Sequence, residues 1–127
     1  MLDHVSIGVK NLKKAQVFYD AALKPLGYKR VWEIDAGSGY GQNAREPRFW
    51  IAETEKGKTA RTSPGAHVAF VATNRARVHA FYEAALAAGG KDNGAPGLRP
   101  QYHPNYYGAF VTDPDGHHVE AVCHLPK

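Results

Sequence analysis

The fold is decided by a stretch of sequence that occurs twice in the chain. Residues 3–27 read DHVSIGVKNLKKAQVFYDAALKPLG, and residues 66–90 read AHVAFVATNRARVHAFYEAALAAGG. The two stretches align without a gap at an offset of 63 residues, about half of the 127-residue chain. Because the repeat is this long and occurs only twice, it indicates a duplicated unit rather than a solenoid, which is built from several shorter repeats.

Each copy opens with the pattern of a strand followed by a helix. Two sets of side chains alternate over residues 5–9 and again over 67–72, which is the period of a β-strand. Asn11 and Asn74 then stand where a short polar side chain can cap the first turn of a helix. Gly27 is expected to end the first helix. Each copy is therefore predicted to begin with a strand and a helix.

Short strands are predicted after each helix. In the first copy they span residues 28–35, 40–43 and 48–54, with a turn at 36–39. In the second copy a loop at 91–100 precedes strands at 106–112 and 117–124, which are joined by the turn Asp113-Pro114-Asp115-Gly116. This order predicts an α+β fold of two βαβββ modules in a single domain. The expected bounds are 1–57 for the first module, 58–64 for a linker and 65–127 for the second module.

The composition is typical of a globular protein and excludes several classes of function. Apolar residues make up 43% of the chain and charged residues 22%. The net charge is +4, but the Lys and Arg residues are scattered, whereas a nucleic-acid-binding protein usually has a basic stripe. There is one cysteine, no signal-peptide pattern and no apolar run long enough to span a membrane. We therefore expect a cytoplasmic protein with a small-molecule partner and no nucleic-acid or membrane partner.

Three side chains of types that bind transition metals are predicted to face the same way. Alternation puts His4 and His67 on the strand face opposite the apolar residues that pack on the helices, and it puts Glu120 there in the last strand. If the sheet curls, the three converge in a cleft. Two imidazoles and a carboxylate suit a divalent metal such as Zn, Ni, Mn or Fe. A lone strand histidine is more often a surface group, but this one recurs at the same place in both copies.

These residues lie in segments that resemble the vicinal oxygen chelate superfamily, which includes glyoxalases, bleomycin resistance proteins and extradiol dioxygenases. The resemblance covers nearly the whole chain and rests on residues 4–7, 18–19, 67–70, 81–82 and 110–122, of which the turn at 113–116 followed by Glu120 is the most specific part. It implies a curved mixed β-sheet with the helices on its outer face, and a metal held by His4, His67 and Glu120. It also implies a homodimer and a substrate whose oxygens are chelated to the metal.

The first copy departs from the pattern of glyoxalase I-type members of the superfamily. Those members place a fourth ligand, often Glu or Gln, in the last strand of the first module. Glu53 is the candidate here, because it follows His4 by 49 residues where Glu120 follows His67 by 53. It stands at the end of its strand before a polar segment, so we expect it on the surface. His118 shares the predicted face of Glu120 and is a further candidate ligand.

Aromatic residues supply the candidates for a substrate pocket. Trp50, Tyr102 and Tyr106 are predicted pocket residues, although Trp50 also suits the core and the tyrosines also suit a loop that covers the end of the sheet. Tyr107 and His103 are candidate acids or bases. Alternation puts Tyr106 and Tyr107 on opposite faces and leaves open which of them points into the site.

Two functions of different classes fit these features. One is a metal-dependent enzyme of the glyoxalase or dioxygenase type, a lyase or oxidoreductase in which the metal acts as a Lewis acid and stabilises an enediolate or similar anion. The other is a metal-free protein of the bleomycin-resistance type that binds a small molecule or drug in an aromatic cleft. The presence of all three ligand types favours the enzyme, and the missing fourth ligand keeps the binding protein in consideration.

Overall fold

The computed structural model describes residues 1–55, 58 and 60–127, and the predicted end of the first module at residue 57 lies outside them. The elements of the first half are β1 (Val5–Val9), α1 (Leu12–Leu23), a short 3-10 turn (Lys24–Leu26), β2 (Lys29–Ile34), β3 (Gly37–Gly41) and β4 (Phe49–Glu53). Those of the second half are β5 (His67–Val71), α2 (Arg75–Ala87), β6 (Lys91–Asp92), β7 (Gly97–Leu98), β8 (Tyr107–Thr112) and β9 (His118–Cys123).

The strands form two mixed sheets with the same topology. The first sheet has the order β1-β4-β3-β2, and the second has the order β5-β9-β8-β6 with β7 also paired to β8. In each sheet the first strand runs parallel to the last one, β1 beside β4 and β5 beside β9, and the other pairs are antiparallel. The α+β fold and the duplicated module are thus confirmed.

Each helix begins at the predicted asparagine and covers one face of its own sheet. The Asn11 side chain accepts a hydrogen bond from Lys14 N, and Asn74 does the same for Arg77 N, which satisfies one free N–H of each first turn. The 3-10 turn after α1 ends at Gly27, whose φ of 85° is the left-handed conformation that favours glycine. The two helices also contact each other, so the core lies between the sheets and around the helices.

The predicted turn at residues 36–39 is wrong, because most of this segment belongs to β3. The chain turns at Asp35 and Ala36 instead, and Gly37 and Gly39 are extended. These glycines are required by close packing: a Cβ at Gly39 would lie 2.9 Å from the ring of Trp50, and one at Gly37 would lie 2.8 Å from a backbone oxygen. A glycine-rich segment that sequence patterns assign to a turn is here a strand under a large aromatic ring.

The turn between β8 and β9 holds the two modules together. Asp113 is almost wholly buried, and its carboxylate accepts hydrogen bonds from the Tyr19 hydroxyl at 2.5 Å and from the backbone N–H groups of Asp115 and His117. The His117 ring is partly buried, with its Nε2 2.7 Å from the backbone oxygen of Gly8. Burial, followed by the neighbouring Asp113 carboxylate, raises the pKa of Tyr19 well above its usual value. The turn is therefore a structural joint between modules.

No helix in the described part of the chain is both long enough and apolar enough to cross a membrane.

Candidate functional site

The outer face of the second sheet, meaning the face turned away from the helices, brings two of the predicted ligands together. Residues of β5 and β9 pair in parallel, with His67 opposite His118 and Ala69 opposite Glu120. Phe110 on β8 lies opposite Glu120 on the other side. The outer face of the second sheet is thus formed by His67, Ala69, Val71, Gly108, Phe110, Thr112, His118, Glu120 and Val122.

His67 and Glu120 are in direct proximity on this face. His67 Nε2 lies 3.1 Å from Glu120 Oε1, and about half of the His67 side chain is exposed while Glu120 is wholly buried. Glu120 Oε1 nevertheless has no hydrogen-bond partner. A buried carboxylate requires a cation or a hydrogen-bond donor, and at this place either the His67 imidazole within ion-pair distance or a bound cation can meet that requirement.

The separation of these two atoms fits a shared divalent metal. Bonds of about 2.0–2.2 Å to each donor, at angles between square and tetrahedral, hold the donors about 2.9–3.4 Å apart. The observed 3.1 Å between His67 Nε2 and Glu120 Oε1 lies in this range. Imidazole nitrogen and carboxylate oxygen are also donors that Zn, Ni, Mn and Fe accept. The two residues therefore fit a metal ion, as two of the three predicted ligands.

The other oxygen of Glu120 is held by a tyrosine. The Tyr106 hydroxyl donates a short hydrogen bond to Glu120 Oε2. Burial, followed by this hydrogen bond to the carboxylate, raises the pKa of Tyr106 above its usual value. Tyr106 thus points toward the predicted site, although it contacts Glu120 rather than an open pocket.

His4 is not brought to this pair within one chain. It precedes β1 on the outer side of the first sheet, and its Nδ1 lies 2.6 Å from the Asp3 carboxylate, whose pKa is lowered by that contact. Among residues 1–55, 58 and 60–127, no three His, Cys, Asp or Glu side chains are arranged to hold one metal ion. The predicted set of three ligands is therefore not assembled by the described part of a single chain.

Glu53 does not take the place of a fourth ligand. It lies on the helix side of β4, opposite Val9, and its Oε1 accepts a hydrogen bond from the backbone N–H of Leu12 at the start of α1. Its carboxylate thereby stabilises the helix N-terminus, where the free N–H groups favour negative charge.

Strand pairing shows which residue of the first module is equivalent to Glu120. Ser6 and Ala69 correspond at the offset of 63 residues, and their partners are Trp50 and Glu120. Trp50 therefore occupies the position that a fourth ligand would need. Its ring lies against Gly39, the residue that corresponds to Phe110 of the second module through strand pairing.

Trp50 belongs to an apolar outer face of the first sheet. Trp32 and Ile34 lie on the same face through their pairing with the glycines of β3, and both are about half exposed. The Trp32 ring nitrogen donates to the backbone oxygen of Ala44. Trp50 is only partly buried, so the alternative that it is a core residue does not hold, and it remains a predicted pocket residue.

The candidate acid or base Tyr107 lies on the wrong side of the sheet for this site. It pairs with Cys123 on the face that packs against α2, its hydroxyl is 2.6 Å from His79 Nε2, and Arg75 lies over its ring. Because side chains alternate along β8, Tyr106 is near Glu120 and Tyr107 cannot be.

The remaining candidate residues, Tyr102, His103 and His118, lie near Tyr106 or His67 and have no direct contact with the Glu120 carboxylate. The rings of Tyr102 and His103 lie 4.9 Å and 5.5 Å from that of Tyr106, and His103 Nε2 is 2.5 Å from His124 Nδ1. Tyr102 is mostly exposed. His118 lies beside His67 in the register, with its Nδ1 3.0 Å from the side-chain amide of Asn93.

A cavity of about 240 Å³ lies between the two modules next to His67. Its walls are mainly apolar side chains from both modules, among them Val5, Phe49 and Val68, and His118 also borders it. Glu120 does not border this cavity, and its apolar lining, such as Val68 and Val119, belongs to the helix-facing side of the strands, so the cavity is separate from the contact between His67 and Glu120.

Comparison with known proteins assigns the family. The model of the Glyoxalase/Bleomycin resistance protein/Dioxygenase superfamily matches residues 1–121, so the chain belongs to that superfamily. A glyoxalase/bleomycin resistance protein from Albidiferax ferrireducens T118 is 29% identical, with a TM-score of 0.86 over 98% of this chain and 99% of that one. No curated protein matches the sequence.

More distant structures share the fold. A glyoxalase-related enzyme from Fulvimarina pelagi is 20% identical, with a TM-score of 0.73 over 97% of this chain and 87% of that one. A mutant of glyoxalase I from Zea mays is 23% identical, with a TM-score of 0.75 over 95% of this chain and 46% of that one. The family resemblance inferred from the sequence is confirmed.

Two features of the site were missed by sequence reasoning. The contact between Tyr106 and Glu120 spans 14 residues and depends on the β8–β9 register, which no local pattern reveals. The equivalence of Trp50 and Glu120 was hidden because the two modules differ in length between helix and last strand. Because tertiary packing sets the register of the parallel strands, no local pattern in the sequence marks this equivalence.

Proposed function

We propose that this protein is a metal-dependent enzyme of the glyoxalase or dioxygenase type, a lyase or oxidoreductase acting on a small oxygen-rich substrate. The observation that carries the proposal is the wholly buried Glu120 Oε1, which has no hydrogen bond and lies within ion-pair distance, 3.1 Å, of the half-exposed His67 Nε2. The ion is a divalent Zn, Ni, Mn or Fe, which when bound supplies a Lewis acid for chelated substrate oxygens. Membership of a superfamily that contains glyoxalases and dioxygenases supports this class of chemistry.

The site is completed in a homodimer. His67 and Glu120 provide two ligands on the outer face of the second sheet, while His4 lies on the outer side of the first sheet. A symmetric pair of chains can set the first sheet of one copy against the second sheet of the other, which brings His4 of the second copy to the pair. The exposed apolar residues Trp32 and Ile34 favour the covering of this face.

The other side chains shape the space around the ligands. Trp50 forms an aromatic wall for the substrate from the first sheet, and the exposed Tyr102 borders the second. His103 is the remaining candidate for moving a proton, since Tyr107 points toward α2. The protein is expected to be cytoplasmic, with no nucleic-acid or membrane partner.

Metal binding by the untagged, full-length protein tests the proposal. Zn, Ni, Mn and Fe(II) are each titrated into metal-free wild type and into His4→Ala, His67→Ala and Glu120→Ala, and bound metal is measured after dialysis. We expect about one ion per chain for wild type and at least a tenfold lower affinity for each variant. His79→Ala is the matched control, because it removes an exposed histidine that lies on α2.

Mixing two variants tests the dimer separately. When His4→Ala and His67→Ala chains are unfolded, mixed equally and refolded, half of the dimers are mixed and one of their two sites is intact. Metal binding should then return to about a quarter of the sites, whereas either variant alone stays near zero. No recovery would show that His4 acts within its own chain or not at all.

The alternative is a metal-free protein that binds a small molecule or drug. The partly exposed Trp50 and Trp32 on one face favour it, because flat aromatic walls hold ligands without any metal. If the wild-type protein binds none of the four ions, the enzyme proposal is rejected and this function replaces it.

A further inference from the structure

The Tyr106 hydroxyl contacts Glu120, and the proposed function gives this contact no role. The hydroxyl donates to Glu120 Oε2, while Oε1 of the same carboxylate lies next to His67 Nε2 without a hydrogen-bond partner. The two oxygens of one buried side chain are thus in different situations. Oε2 accepts a hydrogen bond from the protein, whereas Oε1 has only the ion-pair contact with His67.

We propose that Tyr106 is a positioning residue that restricts Glu120 to binding a metal through Oε1 alone. The inference rests on the proposed function, because it assumes that Glu120 is a ligand. The hydroxyl holds Oε2 on the side of Tyr106 and opposes its rotation toward the metal, so the carboxylate binds through Oε1, occupies one coordination position and leaves others for substrate oxygens. Hydrogen bonds to the far atom of a ligand commonly orient it in this way.

Gly108 makes this arrangement sterically feasible. A Cβ at this position would lie 3.1 Å from Glu120 Oε2 and 3.3 Å from the ring of Tyr106. Both distances are tighter than ordinary van der Waals contact, so a side chain here would push the hydroxyl and the carboxylate apart. Gly108 is buried in β8, where glycine has no advantage other than this lack of a side chain.

The ring of Tyr106 is itself held by neighbouring aromatic side chains. Tyr102, His103 and His124 approach it edge to face, with ring centroids 4.9 Å, 5.5 Å and 5.2 Å away. The Tyr106 backbone is bound on both sides, since its N–H donates to His103 O and its oxygen accepts from Arg99 N. The aromatic stretch at 102–107 and the C-terminal His124 thus support the orientation of Glu120.

The test uses Co²⁺ as the probe, because its visible absorption reports on the number of ligands. Wild type and Tyr106→Phe are titrated with Co²⁺, and Kd and the visible spectrum are measured. We expect Kd to rise about tenfold in Tyr106→Phe, together with a weaker absorption, as the freed Oε2 enters the coordination sphere. Tyr82→Phe is the matched control, since it removes a tyrosine hydroxyl of α2 that donates to Asp92 and does not contact Glu120, and both quantities should stay at wild-type values.

Gly108→Ala provides a second variant that keeps the hydroxyl. It should shift Kd and the spectrum in the same direction as Tyr106→Phe. If Tyr106 has only a structural role, Tyr106→Phe would lower thermal stability without changing the spectrum. An unchanged Kd and spectrum in Tyr106→Phe would overturn this inference and leave the proposed metal site standing. If wild type binds no Co²⁺, the inference fails together with the proposed metal site.

Discussion

In the first module Ser6 pairs with Trp50, whereas at the equivalent place in the second module Ala69 pairs with Glu120. The neighbouring strand contributes Gly39 in the first case and Phe110 in the second. Two copies of one backbone thus carry opposite chemistry on their outer faces. The first is an apolar aromatic surface, and the second holds a buried carboxylate beside an imidazole.

The connections before the last strands differ as well. In the first module residues 42–48 join β3 to β4, whereas in the second the shorter turn at 113–117 joins β8 to β9 and places Asp113 against Tyr19 of the other module. The duplication preserved the pairing of strands, while the side chains and turns diverged. This separation is expected because the hydrogen bonds of a sheet involve only the backbone, so outward side chains can change without altering the fold.

The largest loss of stability is expected from removing the Asp113 carboxylate, which links the turn of the second module to Tyr19 of the first. Asp113→Ala leaves the Tyr19 hydroxyl and two backbone N–H groups without their acceptor in a buried place, and should lower the free energy of unfolding by about 3 kcal/mol. Urea unfolding measures it. Asp115→Ala is the control, because that carboxylate accepts only from the backbone of Lys10, and a loss equal to that of Asp113→Ala would contradict the assignment.

The second-largest effect, on metal affinity, is expected from giving the first module the carboxylate that the second module has. Trp50→Glu puts a carboxylate at the position equivalent to Glu120 and should strengthen Zn²⁺ binding by about tenfold, because it adds a fourth ligand to the proposed site. Competition with a coloured chelator measures the affinity. Trp50→Phe separates the loss of the indole from the gain of the carboxylate, and equal affinities of the two variants would show that position 50 does not face the metal.

A smaller effect should follow from crowding the aromatic face of the first module. A Cβ at Gly39 would lie 2.9 Å from the Trp50 ring, so Gly39→Ala should displace the indole and cost about 1–2 kcal/mol of stability. The change in tryptophan emission is measured in a Trp32→Phe background, so that Trp50 alone reports. Gly97→Ala is the control: its Cβ would lie 3.2 Å from the Arg99 guanidinium in the other module, so it should leave the Trp50 emission unchanged, and an unshifted emission in Gly39→Ala would refute the contact.

The smallest effect concerns the pH dependence of the second module. The Gly94 N–H, followed by the Tyr82 hydroxyl, lowers the pKa of Asp92 below its ordinary value. A carboxylate with a lowered pKa stabilises the folded state above about pH 4, and this contribution is lost as the pH falls through the folded-state value. Wild type should therefore lose slightly more stability than Asp92→Asn between pH 5 and pH 3, and parallel pH profiles would argue against the interaction.

Much of the fold could be predicted because it depends on local patterns. Asn11 and Asn74 cap their helices as expected, since a cap needs only a short polar side chain at the right place. Cys123 is buried on the helix side as the alternation of β9 indicates. The turn at 36–39 was wrong because glycine favours turns in general, whereas here its lack of a side chain accommodates Trp50.

The candidate site could be predicted only in part. The repeat and the strand period placed His67 and Glu120 on one face, which the pairing of Ala69 with Glu120 bears out. The same reasoning could not decide between Tyr106 and Tyr107, because alternation gives two opposite faces without saying which one packs on a helix. That choice depends on α2, whose His79 and Arg75 meet Tyr107.

The amino-acid sequence by itself determined the duplicated α+β module, the ends of its helices and the residue types available for a metal, because periodicity and capping act over a few residues. Tertiary structure alone decided that Glu120 Oε1 lies beside His67, that Tyr106 holds the other oxygen, and that Trp50 takes the place equivalent to Glu120. These relations join residues far apart in the chain, and they depend on strand register and burial, which are set only when the sheets and helices pack together.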